Sequence, residues 1–194
     1  MTDNTEPELA APGAGLPAIE HLIARVLFGL RRMTGNRDAF TAKFNKERAA
    51  IRALVDSCDA ARRGERVLIG RQRGMEDSSR NWSVWMTLDH LRITNLGFAR
   101  VIAELTQGRI PADKANTAAV KPSPTVTVAV EAEYEKSCDD VLAAVAAAPD
   151  LKTQVRFEHP WFGLLDAFGW HALAGSHMGI HRGQIESIIA GLSR

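Results

Sequence analysis

Between Asp166 and Leu192 the residues Trp170, Leu173, Ala174, Ile185 and Ile188 recur at intervals of three and four, and His177 and His181 fall in the same register. That period is the signature of an α-helix with one buried face. A separation of four sets the two imidazoles one turn apart on that face. A polar ring on a core-facing stripe needs a partner, so the fold has to bring another polar group to this helix. Gly175 and Gly179 flank the pair. Each costs about 1 kcal/mol against alanine in a helix interior, a cost that close approach of another element explains.

The same periodicity runs through most of the chain. Ile19, Leu22, Ile23, Val26, Leu27 and Leu30 predict an amphipathic helix from Pro17 to Met33, closed by Gly35 and Asn36. A second helix is expected from Asp38 to Arg63, with Phe40, Phe44, Ile51, Leu54, Val55 and Cys58 on its apolar stripe and Gly64 as its stop. Residues 64–80 read as a connection with an extra turn. Ser78 and Ser79 then offer caps for a third helix from Arg80 to Thr106. In it, Trp82, Met86, His90, Ile93, Gly97 and Val101 follow at threes and fours, which puts His90 on a core-facing stripe.

Pro111, Pro122 and Pro124 mark residues 108–124 as a crossover, long enough that the fourth helix need not lie beside the third. Thr125 to Val130 alternate like a strand, and Val130, Tyr134, Cys138, Val141, Leu142 and Val145 have helical spacing, so an extended lead-in followed by a helix to Ala148 is expected. Residues 150–165, with His159-Pro160-Trp161-Phe162-Gly163, read as a loop, and Asp166 caps the last helix. The pattern is all-α, an up-down bundle with one long crossover connection. No internal repeat is visible.

Composition narrows the class. At 194 residues, 45% hydrophobic and 24% charged, the chain suits one soluble domain, and no apolar run reaches the length of a membrane span. The net charge is +1, and arginines at Arg31-Arg32, Arg62-Arg63 and from Arg66 to Arg80 are interspersed with acids, so nucleic acid is not an expected partner. The first fifteen residues carry acids, Pro and Gly but no Lys or Arg, unlike a signal peptide. Residues 1–15 are expected to be a disordered tail, residues 16–194 the bundle domain, and the location cytoplasmic. Cys58 and Cys138 lie in helical patterns and read as core thiols.

Three neutral imidazoles, His90 from one helix and His177 and His181 from another, would form an open three-ligand site for a divalent transition metal. Other metal readings fail on the letters. A zinc-protease helix needs Glu directly after the first histidine, and that position is Met178. A di-iron bundle needs Glu-x-x-His, and no glutamate here has a histidine three residues later.

With NWSVWMTLDHL around His90 and HPWFG ahead of HMGIH, the chain from Pro17 to Leu192 resembles the DinB superfamily, also called DinB/YfiT-like. The resemblance implies a four-helix bundle with a long crossover, commonly dimeric, with metal ligands at His90, His177 and His181. It implies zinc or nickel, with iron or manganese as further candidates, and one or more open positions. It also implies a small-molecule substrate and one of three activities: thiol transfer with a low-molecular-weight bacterial thiol, a thiol-dependent isomerisation, or hydrolysis. The leading expectation is a thiol S-transferase whose reacting group is a metal-bound thiol. A hydrolase using metal-bound water at the same site and a non-catalytic metal-binding dimeric bundle are the alternatives.

Secondary candidates stand beside their plainer readings. His159 could face a substrate, but a loop-fixing hydrogen bond is the preferred role. Gln184, one turn beyond His181, is positioned to orient an imidazole, since ligating histidines usually donate from their other nitrogen. Trp82 and Met86 are pocket candidates, although the four tryptophans read first as core. Asp89 projects about 100 degrees from His90 and is expected at solvent or between helices. His171 is expected on the opposite face, at the surface or an interface, and His21 has no partner in the pattern.

Overall fold

In the computed structural model, which describes residues 7–193, five helices carry the chain: α1 (Ala18–Thr34), α2 (Arg37–Ser57), α3 (Val84–Thr106), α4 (Ala129–Ala147) and α5 (Ala167–Leu192). Two small antiparallel hairpins join them. In one, β1 (Val67–Leu68) pairs with β2 (Asn81–Trp82), and in the other β3 (Phe157–His159) pairs with β4 (Gly163–Leu165). Helices α2 to α5 form the bundle and α1 lies against the outside of α5.

Side-chain pairs give the helix directions. Thr41 meets His171 and Glu47 meets Arg182, so α2 and α5 run parallel. Trp85 meets Glu131 and Asn95 meets Ser137, so α3 and α4 also run parallel and pack side by side. A crossover long enough to return the chain to its starting end produces that arrangement, and the proline-rich stretch supplies it. The sequence allowed α4 to lie away from α3; instead the two form the most extensive helix contact in the bundle. Residues fully removed from water at the centre include Phe44, Ile51, Leu91, Ile102, Ile185 and Ile188. Each contributes roughly 1.5–3 kcal/mol by burial.

Local chemistry shifts several boundaries. Asn81 and Trp82 are spent on the β1–β2 pair, so α3 starts at Val84, and its cap is Ser83, whose Oγ accepts from Met86 N at 3.1 Å, rather than Ser78 or Ser79. Ser78 and Ser79 sit instead in a 3-10 turn, Asp77–Ser79. Helix α2 stops at Ser57 because Cys58 is extended, and Asp59 starts a separate turn by accepting from Ala61 N. No strand leads directly into α4: a turn at 124–125 precedes its start at Ala129. Residues 150–165 are more ordered than a loop, since β3 and β4 form a hairpin in which Gly163 takes φ +69, a conformation suited to glycine. At the start of α5, Asp166 Oδ1 accepts from Gly169 N at 2.8 Å, as its sequence position predicts.

The N-terminal region makes contacts that its sequence pattern does not display. Residues 1–6 lie outside the described residues, but Ala10 N donates to Asp77 Oδ2 at 2.9 Å and Gly13 N to Glu76 Oε2 at 3.2 Å, which ties that segment to the connection between α2 and α3. The apolar stripe of α1 does not face the core. Ile19, Leu22, Ile23, Val26, Leu27, Leu30 and Met33 are all more than half exposed, and Phe28 is the helix's one buried residue. What holds α1 is a different set: Phe28 on Phe162, Arg32 on Asp166, Glu20 on Gly74 N, and His21 Nε2 on the Trp161 carbonyl at 2.7 Å. His21 thus has a partner that its sequence neighbourhood does not reveal.

Cys58 and Cys138 are free and buried, and burial pushes the Cys138 thiol up to about 12. Both behave as core thiols. Among the described residues no helix is long and apolar enough to cross a membrane.

Candidate metal centre

Ser83 caps α3 two turns ahead of His90, and the β1–β2 pair holds Trp82 against the imidazole, 5.2 Å between ring centroids. The crossover then closes over this helix. Its Val120 carbonyl lies 2.6 Å from His90 Nδ1. A carbonyl can only accept, so Nδ1 carries the hydrogen and the lone pair sits on Nε2, directed at α5.

His181 is set the same way. Its Nδ1 lies 2.6 Å from Gln184 Oε1, and Gln184 Nε2 donates to the Ser79 carbonyl at 2.7 Å. The second bond fixes which end of the amide is oxygen, so His181 Nδ1 is the donor and Nε2 is free. His177, one turn before His181, places its Nε2 at 3.1 Å from His90 Nε2. Its Nδ1 is buried with no hydrogen-bond partner. One ligand nitrogen from each of the three lies within 4.8 Å of the others. Trp82 backs the group, stacked on His181 at 11° between planes.

The electrostatics favour neutral rings. Burial pushes His90 down to about 4 and drives His177 and His181 well below the ordinary histidine range, with neighbouring imidazoles adding to the effect. At neutral pH the rings are therefore uncharged, and the lone pairs on His90 Nε2 and His181 Nε2 are available to a shared cation. A tetrahedral ion with metal–nitrogen bonds of about 2.0–2.1 Å separates its ligand nitrogens by about 3.4 Å; here His90 Nε2 and His177 Nε2 are 3.1 Å apart and all three ligand nitrogens lie within 4.8 Å of one another. The donor set and its geometry fit a divalent transition metal. Among the described residues no cysteine, carboxylate or fourth histidine joins the group.

The three histidines lie on the wall of a cavity of about 880 Å³. Phe28, Phe98, Trp161, Phe162 and Trp170 contribute aromatic surface to it. His159 also lines the cavity, and its Nδ1 accepts from Trp161 N at 3.1 Å, a bond that fixes the hairpin turn. Burial lowers His159 to about 4. Trp82 and Met86 are both buried but neither lines the cavity: Trp82 supports the imidazoles from behind.

Two polar residues differ from their sequence reading. His171 is fully buried, with Nε2 at 3.2 Å from Thr41 Oγ1 and its ring edge-on to Phe40. The face opposite His177 is not at the surface because α5 is wedged between α2 and α3 and is enclosed nearly all round. Asp89 is buried too, paired with Arg92 and accepting from Ser123 N at 2.9 Å, so it anchors the crossover. Lys121 adds a second anchor by donating to Glu76, Ser78 and Ser79. These crossover contacts have no sequence signature, since half of each is a backbone atom or a residue with no periodic signal.

A sequence profile of the DinB superfamily matches residues 43–185, which span α2 to α5 and contain all three histidines. The chain belongs to the DinB superfamily. A solved structure described as TT2238, a four-helix bundle protein, is similar over 78% of this chain and 98% of that one, with a TM-score of 0.58 and 22% identity. At that identity the likeness concerns the fold. No curated protein matches the chain. In this DinB-superfamily bundle the three-histidine group could hold a metal ion, a property consistent with a metal-binding enzyme.

Proposed function

We propose that this protein is a divalent-metal-dependent enzyme, a thiol S-transferase that uses a low-molecular-weight thiol. The observation that carries the reading is the three-nitrogen group set into the wall of a large aromatic cavity. Structural zinc sites use four protein ligands, whereas catalytic ones use three and keep a position for a small molecule. A divalent cation held by His90, His177 and His181 would supply positive charge that lowers the pKa of a thiol or water beside it. The chain's own residues do the rest. Val120 O and Gln184 orient two of the imidazoles, and the aromatic walls exclude water from a substrate.

Family resemblance favours the thiol over water as the group activated. The test is cobalt-substituted protein titrated with low-molecular-weight thiols, followed by turnover of an electrophile in their presence. A thiol-dependent change in the visible spectrum and thiol-dependent turnover support the transferase. An unchanged spectrum together with turnover of an activated ester without thiol assigns the site to hydrolysis instead.

The same reading includes a homodimer formed through α1. Its apolar stripe remains exposed over most of the helix, and contiguous apolar surface of that kind on a soluble protein marks an interaction site. A second copy presenting the same helix would cover both stripes with one symmetric contact.

A further inference from the structure

The cavity beside the histidines carries an imbalance of charge. Six cationic side chains line it, Arg31, Lys43, Arg100, Lys114, Lys121 and Arg182, against two carboxylates, Glu76 and Asp113. Most of the cations are neutralised locally. Lys43 and Arg182 share Glu47, Arg100 reaches Glu104 and Asp113, and Lys121 pairs with Glu76. Lys114 has no pair among the described residues but is exposed, so water solvates it.

Arg31 is different. It projects from α1 to the cavity wall, its Nε is buried without a hydrogen-bond partner, and no carboxylate among the described residues pairs with it. Arg31 is half-buried, and a guanidinium at a cavity wall with no carboxylate partner is open to an anion, its planar fork matching a carboxylate best. Trp170, whose Nε1 is likewise buried without a partner, also lines the cavity.

We propose that the cavity takes a carboxylate-bearing small molecule, with Arg31 as the residue that recognises the acid group. Resting on the reading of this cavity as the substrate site, the assignment narrows the substrate to an organic anion with an apolar or aromatic body, which the aromatic walls contact. Arg31 selects the substrate and takes no part in the bond changes.

The test uses thiol-free probes, so that it stands or falls apart from the thiol chemistry. 3-Phenylpropionate and its amide, 3-phenylpropionamide, are titrated by calorimetry into metal-loaded wild-type protein, R31M and R31K, with thermal melts to establish that each variant is folded. The acid should bind wild type about tenfold or more tightly than the amide, as expected for a charge-assisted bond. That preference should vanish in R31M and persist in part in R31K. Equal binding of acid and amide to wild type, no binding of either, or a preference that survives in R31M would overturn the assignment. A retained acid preference in protein that shows no thiol-dependent activity would leave the anion site standing and the transferase reading rejected.

Discussion

Gln184 orients His181: its Oε1 lies 2.6 Å from His181 Nδ1 while its Nε2 holds the Ser79 carbonyl at 2.7 Å. The amide thereby ties the ring on α5 to the turn ahead of α3, and leaves Nε2 of the ring toward the other two histidines. Gln184→Leu breaks both bonds and frees the ring to rotate. Metal affinity should fall 10- to 100-fold, measured by competition with a chromophoric chelator. Unchanged affinity would mean that His181 is not a ligand or that packing alone holds it.

His171 makes the bundle sensitive to acid independently of the metal group. Burial lowers it to about 4, and Arg37 adds to the shift. The folded state keeps it neutral while the unfolded state protonates it near the ordinary value of about 6.5. Its neutral burial is therefore fully tolerated above about pH 6.5, and stability is lost as the pH falls from there toward 4. At pH 5 the loss from this residue is about 2 kcal/mol. Urea melts of wild type and His171→Phe at pH 7 and pH 5 check this: the variant should lose less stability across the interval. Equal losses would contradict it.

Two glycines separate close approach from mere tolerance. A Cβ on Gly175 would sit 3.2 Å from the backbone nitrogen of Phe44, whereas one on Gly29 would meet nothing within 4 Å. Gly175→Ala should destabilise by about 1–2 kcal/mol, since overpacking against backbone exceeds the helix-propensity gain. Gly29→Ala should stabilise by about 0.5–1 kcal/mol. Thermal melts of the pair should move in opposite directions.

The exposed stripe on α1 gives a prediction about assembly. Leu22→Glu with Val26→Glu places two charges where both residues are more than half exposed, so the folded monomer should tolerate them. Light scattering should show a dimer for wild type and a monomer for the double variant. A monomer for both would remove the proposed interface.

The sequence was most readable where helical periodicity and chemistry coincide. His90, His177 and His181 could be picked out because each lies in an apolar stripe of period 3.6, and the structure brings their nitrogens together. Gly175 could be read as a close approach for the same reason. Periodicity identifies an amphipathic face but not what covers it, and the stripe of α1 joins no core. The enclosure of α5 on two sides, which buries His171, depends on helix neighbours that local pattern does not encode. Two- and three-residue strands are too short to carry a period of two, which hid both hairpins and moved the start of α3 to Val84. Val120 O and Ser79 O act through backbone atoms, which any residue supplies. Arg31 gave no signal because its isolation from acids is a three-dimensional fact.

The most direct measurement of the central claim is metal content after purification without a histidine tag, on wild type and on His177→Ala with His181→Ala. Circular dichroism would establish that both are helical. Wild type should hold about one equivalent of a divalent transition metal, and the double variant essentially none. Stoichiometric metal in the folded double variant, or a wild type that binds no metal when supplied with it, would contradict the account.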